Sequence, residues 1–496
     1  MLDKLKRTVK HSAIFALGKI GAKLVGFILL PIYTRELSPA QYGILALLEM
    51  ADLLGGHVLS LSLQNALFRW YALAQDENKK GNYVFTLAVF LSGVSLLSLL
   101  LALPGRAYIS QFLFETPEYG AYIIYLLISI ILQNLGRIPF TLLRIEEKSL
   151  RFAVLVGLQF AVSLALNIYF VAFLKWGIEG VLLAQVLSSG AVLAALLPYS
   201  LKRMRFRFEG RELKEMLAYS YPIMFAAIAA TVLSLGDRFL LTRLSTLSEV
   251  GLYSLGYKFT NILKVFIIDS FLLGLPIIGW QVVRENQQPQ RFFSKTLTYF
   301  VFFLLWLGLI LCVYAKGIIH LFAVDSAYWD AYRVVPFLAV GAVLMGIQRV
   351  FFFQLEIPRK TRYIPLIVGG AALLNVALNL VLIPYFDMMG AAYANVLSNL
   401  ATVLAAYYAV QKFYPVRYEL RRMAVLFAVA AALYLLTLPF DHFSLPERMI
   451  YKGVVILSFP FVLYFIRFYE PVEIERLRGS AKKWSRKIKW LVKPGS

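Results

Sequence analysis

The chain has few of the groups that carry chemistry. Its one cysteine, Cys312, lies inside an apolar run, so neither a disulfide framework nor a thiolate metal site is available. The four histidines, His11, His57, His320 and His442, are scattered with no ligand spacing. Charge is scarce at 16% of 496 residues, and acid is scarcer than base, with 28 Asp and Glu against 50 Lys and Arg. Long polar loops are missing as well: no connection between apolar runs exceeds about 20 residues. No Asp-x-Asp, paired-histidine or nucleophile-elbow pattern occurs, so a membrane glycan polymerase or acyltransferase is the weaker reading and a non-enzyme the stronger. The excess of base does not point to nucleic acid, because no polar domain is left over to bind it.

What remains is apolar. Hydrophobic residues make up 60% of the chain and the mean hydropathy is +0.70, which describes an all-α polytopic membrane protein. A window of about 20 residues finds about fourteen spans, the seventh near 217–240 and an unusually long eighth near 250–280. The net charge of +22 then reflects basic loops facing anionic head groups. About 35 basic residues fall on the side of the N-terminus and about 9 on the other, so both termini are expected in the cytoplasm. Met1 to Lys10 and the apolar stretch after it imitate a signal peptide, but no small-residue cleavage pattern follows and the segment reads as a retained first helix.

The chain also repeats itself at an offset of about 210 residues. Thr34, Arg35 and Gly43 align with Thr242, Arg243 and Gly251; Gly180, Ala184 and Ser188 align with Gly390, Ala394 and Ser398. Asn167 and Asn379 stand just upstream of the second match, while Arg137 and Lys148 align with Arg349 and Lys360. Equivalent positions lie six spans apart, so the halves share one orientation and should be related by an axis along the membrane normal, with substrate between them. The organisation expected is a first lobe over 1–200, a basic linker over 201–216, a second lobe over 217–411, an extra helix pair over 412–470 and a basic amphipathic tail over 471–496. Aligned Gly180 and Gly390 are expected to permit close helix packing.

The two six-helix lobes with an added pair, the TRELSPAQYG and GDRFLLTRLSTLSEVGLYSLGYKF stretches, and the GVLLAQVLS and GAAYANVLS segments resemble the polysaccharide-transporter branch of the multidrug/oligosaccharidyl-lipid/polysaccharide exporters. The resemblance spans the chain apart from its tail. It implies flipping of undecaprenyl-pyrophosphate-linked oligosaccharide by alternating access in a bacterial inner membrane, for O-antigen, capsule or exopolysaccharide. It also implies partners in polysaccharide assembly. Lipid II flippases and ion-coupled multidrug antiporters are the related alternatives.

Ionised groups inside a span cost about 2.5 to 3.5 kcal/mol on insertion scales, so they should face a cavity or a partner. Lys19 and Lys23 lie one turn apart on the first helix. Glu49, Asp52, Gly56 and Ser60 form a polar stripe on the second. Ser254, Lys258, Asn261 and Asp269 share a face of the eighth segment, with Lys264 at its margin, and Asp237 and Arg238 sit near the outer end of the seventh. With the resemblance, Lys19, Lys23, Lys258 and Lys264 read as a basic lining for the lipid pyrophosphate. Glu49, Asp52, Asp269 and Asp237 then temper that charge or carry a coupling proton or sodium ion, and no other cofactor is expected. The same residues can instead form structural pairs, Lys23 with Asp52 and Lys264 with Asp269, or snorkel from helix ends. Arg137 and Arg349 fit either head-group capture at the cytoplasmic mouth or ordinary positive-inside placement.

Overall fold

A computed structural model describes residues 26–285, 288–443, 445–471 and 474–475. Lys19, Lys23 and the basic tail lie outside the described residues. Among the described residues there is helix and no strand, as expected where each backbone N–H and C=O must be satisfied within its own segment. The first span is represented by its last turns, α1 (Leu30–Glu36). There follow α2 (Pro39–Ser60), the short α3 (Leu63–Leu73), α4 (Glu77–Phe114), α5 (Gly120–Ile145), α6 (Ser149–Phe173), α7 (Gly177–Leu201) and α8 (Gly210–Leu244). The second half continues with α9 (Leu247–Arg284), α10 (Pro289–Phe322) and α11 (Val335–Glu356), the last preceded by a 3-10 stretch, Ser326–Val334.

Twelve helices of the described residues are long and apolar enough to cross a membrane. The longest, Tyr363–Phe413, is broken at Asp387, whose φ of 48° and ψ of −130° leave the helical region. Its arms, α12 (363–386) and α13 (388–413), are each long enough for a span of about 20 residues. With α14 (Leu420–Thr437) and α15 (Leu445–Phe465), this brings the described spans to thirteen after the first, in keeping with about fourteen overall.

Local chemistry sets the helix starts. Ser38 accepts from the Gln41 N–H while Gln41 accepts from the Ser38 N–H, a capping box that opens α2 with Pro39 at its first position. Asp76 caps α4 and Thr246 caps α9. The helix expected from 217 starts earlier, at Gly210, so the basic stretch after α7 is a loop only as far as Glu209. That loop is pinned to α4: the Arg205 N–H donates to the Gly81 carbonyl at 3.2 Å and Phe206 packs edge-on to Phe85 at 5.3 Å. Beside it, Glu146 just past the end of α5 accepts from Arg203, Lys148 and Tyr199. Burial works against the Glu146 charge, yet these donors outweigh it and hold the carboxyl at about 2.

The repeat is visible in the packing. Gly43 of α2 and Gly251 of α9, aligned in sequence, lie against each other's helix. A Cβ on Gly43 would sit 2.0 Å from the Leu247 carbonyl oxygen, and one on Gly251 2.0 Å from that of Pro39. A side chain at either position would force the helices apart, so only hydrogen fits. The aligned Gly180 and Gly390 also mark close packing: a Cβ would meet Phe170 at 3.0 Å in one and the Leu382 carbonyl oxygen at 2.4 Å in the other. Outside the repeat, α14 and α15 pack on α10 and are tied at its basic end by Lys295, which donates to Glu419 (2.8 Å) and Glu470. Arg422 adds a contact to Glu419 at 3.0 Å.

Candidate functional site

The end of the bundle carrying Glu36, Pro39 and Phe322 is the one poor in basic residues, which the positive-inside balance leads us to expect outside. Here the halves are sewn together. Thr34 donates to the Phe322 carbonyl at 2.9 Å, and the buried Tyr328 hydroxyl donates to the Leu37 carbonyl at 2.9 Å. The Gly43–Gly251 crossing lies in the same layer, and Arg243 of α8 reaches Glu115 at 2.8 Å and the Phe112 carbonyl across from it. These links make this end of the bundle, the expected outer one, a packed seal.

Directly inside that seal stands Lys258 of α9. Its Nζ donates to the Tyr42 hydroxyl of α2 at 3.4 Å and lies 5.8 Å from the centre of that ring. A Cβ on Gly26, in the first span, would come within 3.1 Å of the Lys258 Cε. The lysine of the second half therefore projects onto the first two helices of the first half. Lys264, one and a half turns on, is half-buried within a π-helical segment, Leu263–Ile268. A π segment takes more residues per turn, so α-helical spacing stops predicting faces beyond it. Asp269, just past that segment, is exposed, and Ser254, before it, is buried.

On α2 the stripe below Tyr42 is real, and the structure supplies its partners. Asp52 accepts from the Gln133 amide of α5 at 3.2 Å, and Gln133 also contacts Ser129 at 3.0 Å. One turn on, Arg137 donates to the Gly56 carbonyl at 3.2 Å and to the Ser60 hydroxyl at 3.1 Å. Gln133 and Arg137, four residues apart, thus read the stripe from the facing helix. Glu49 stays exposed, about two turns or ~10 Å along α2 from Tyr42. Arg137 is half-buried by its α2 contacts, whereas the aligned Arg349 of α11 is exposed, so the repeat positions have different surroundings.

Of the candidate site charges, those of α8 are the most buried. Asp237 is 0% exposed and accepts from the Tyr253 hydroxyl at 2.7 Å and the Asn379 amide at 2.9 Å. Asn379 also donates to Asn375, at 2.9 Å to its carbonyl and 3.0 Å to its Oδ1, and Asn375 donates to the Ser398 hydroxyl at 3.1 Å. Arg238, equally interior, donates to Ser254 at 3.0 Å and stacks 4.6 Å from the Tyr257 ring. The first half has a simpler version: Asn167, aligned with Asn379, accepts from the Tyr33 hydroxyl at 2.7 Å. The buried carboxylate occurs only in the second half of this pair. Tyr42, Gln133, Tyr253 and Asn375 were not singled out from sequence; the signal that could have found Asn375 is its spacing of four from Asn379.

Residues 32–332 match the family described as polysaccharide biosynthesis protein. An uncharacterized membrane protein of Haemophilus influenzae is 25% identical over 272 residues, 52% of this chain, and the match spans only 62% of that relative's length. Among solved structures, the lipid II flippase MurJ in an inward closed conformation superposes with a TM-score of 0.75 at 12% identity, covering 92% of this chain and 100% of that one. An inward-facing multidrug resistance MATE family transporter of the MOP superfamily gives a TM-score of 0.65 at 14% identity, with 79% and 95% covered. At these identities the two structures speak for the fold.

Proposed function

The chain belongs to the polysaccharide biosynthesis protein family, and on that premise we propose that it is a flippase for undecaprenyl-pyrophosphate-linked oligosaccharide. It would carry this lipid from the cytoplasmic to the outer leaflet of a bacterial inner membrane, with both termini in the cytoplasm and partners in polysaccharide assembly. The observation that carries the reading is Lys258, an ammonium at the meeting of the halves beneath the outer seal. An ammonium binds phosphate as a mobile point charge, which suits a ligand that must be released once the halves rock. Lys19, Lys23 and Lys264 complete the basic lining, and Arg349, exposed on α11, and Arg137 on α5 attract the head group at the cytoplasmic mouth.

Glu49, Asp52 and Asp269 temper the positive field, while Asp237 carries the coupling proton or sodium ion. A fully buried carboxylate beside Asn375 and Asn379 supports that assignment, since such a group inside a span is expensive unless it binds something. The working division is 1–200 against 217–411, with 201–216 between them as the loop to Glu209 and the first turns of α8, and with 412–470 and 471–496 accessory. The same Asp237 also favours a second reading, ion-coupled export of an organic cation, against which the basic character of the Lys258 region argues. Proteoliposomes loaded with a fluorescent undecaprenyl-pyrophosphate oligosaccharide decide between them. Translocation by the parent that falls at least tenfold in Lys258→Gln supports the flippase; absence of lipid transport alongside ion-driven cation efflux refutes it.

A further inference from the structure

A second basic site lies at the other side of α10, where the accessory helix α15 meets it. A cavity of about 390 Å³ is lined by Lys316, Arg448 and Lys452 together with Val313, Ile318 and Leu321. It is at the outer end of both helices, the side that the positive-inside balance leaves poor in Lys and Arg. Three cations on one small pocket are therefore not explained by topology.

The pocket is built rather than incidental. Lys452 is only 6% exposed, and its Nζ donates to the Val313 carbonyl at 3.2 Å. The Tyr314 hydroxyl donates to the Met449 carbonyl at 3.1 Å and fastens α15 to α10 beside it. A Cβ on Gly453 would meet that hydroxyl at 3.3 Å. The Lys316 Nζ lies 5.8 Å from the centre of the Tyr332 ring. At the mouth Leu321 and Met449 are 76% and 53% exposed, apolar surface facing where lipid would be.

We propose that this pocket holds the phosphate of an anionic phospholipid of the outer leaflet. Cations at head-group depth above exposed apolar side chains match a molecule with one phosphodiester and acyl chains. The site is separate from the Lys258 region and is contributed by a helix outside the repeat, so it suits a resident lipid that fixes α15 against α10 rather than cargo. The proposal does not depend on what crosses between the halves.

The test is lipid retention by the full-length protein, measured by native mass spectrometry after exchange into micelles with phosphatidylglycerol, phosphatidylcholine or undecaprenyl phosphate. The parent should retain phosphatidylglycerol over phosphatidylcholine, and Lys316→Gln with Arg448→Gln should lower that retention at least tenfold. Arg211→Gln with Lys214→Gln, an equal loss of charge on the opposite side, should leave it unchanged. Equal retention of the two phospholipids, or no loss in the Lys316/Arg448 double variant, overturns the site. Tighter retention of undecaprenyl phosphate than of phosphatidylglycerol overturns the resident phospholipid and assigns the pocket to the carrier lipid.

Discussion

Gly43→Ala is the sharpest perturbation the packing offers. The added methyl carbon would begin 2.0 Å from the Leu247 carbonyl oxygen, where ordinary contact needs about 3.4 Å, so α2 and α9 must separate by roughly 1.4 Å at the crossing. Overpacking of this kind costs about 1–3 kcal/mol in a close-packed interior. If the halves rock as proposed, with this end facing outside, the strain exists only while the seal is closed, and the whole cost would bias the equilibrium towards an opened outer side, about 5–150-fold. Thr34, 0% exposed and bonded to Phe322 across the seal, reports the change. With Cys312→Ala removing the native thiol, Thr34→Cys should react slowly with a small polar thiol reagent added outside, and at least fivefold faster once Gly43→Ala is present. Gly251→Ala should act likewise, and the double variant should add less than the sum, since both methyls push on one crossing. Gly93→Ala, with open space around its Cβ, is the control and should change nothing. A Gly43→Ala protein that folds and labels no faster than the parent would refute the claim that this crossing is the outer seal.

Arg243→Gln removes a partly exposed ion pair to Glu115, worth about 0–1 kcal/mol, so labelling at position 34 should rise less than fivefold and more at low salt than at high. Asn379→Ala leaves the Asp237 carboxylate short of a buried donor and should cost about 1–3 kcal/mol in thermal unfolding. Asp237→Asn, which keeps the shape, should instead abolish the dependence of transport on its driving ion while the protein still folds; retained ion dependence would remove Asp237 from coupling. Glu146, held at about 2 against an ordinary carboxylate value, binds protons less readily folded than unfolded. Its stabilisation is complete above the unfolded pKa near 4.3 and is lost as pH falls towards about 2, so acid should lower the unfolding temperature of the parent more than that of Glu146→Gln over that window.

Much of the molecule was legible in order and kind from the sequence. Apolar runs near twenty residues become spanning helices because lipid offers the backbone no hydrogen bonds, and this constraint is local to each run. The stripe Glu49, Asp52, Gly56 and Ser60 was likewise readable from spacings of three and four. Even the pairing of the halves was latent in the aligned Gly43 and Gly251.

Tertiary structure alone decided which polar groups meet. Helical periodicity assigns a face but not the helix opposite it, so Gln133 and Arg137 on the α2 stripe, Tyr42 under Lys258, and Tyr253 and Asn379 around Asp237 emerge only once the bundle is packed. It also decided where local spacing ceases to hold, at the π segment before Asp269 and at the break of Asp387. Both are departures from regular helix, where the rotation per residue changes and a count along the chain no longer gives a direction in space.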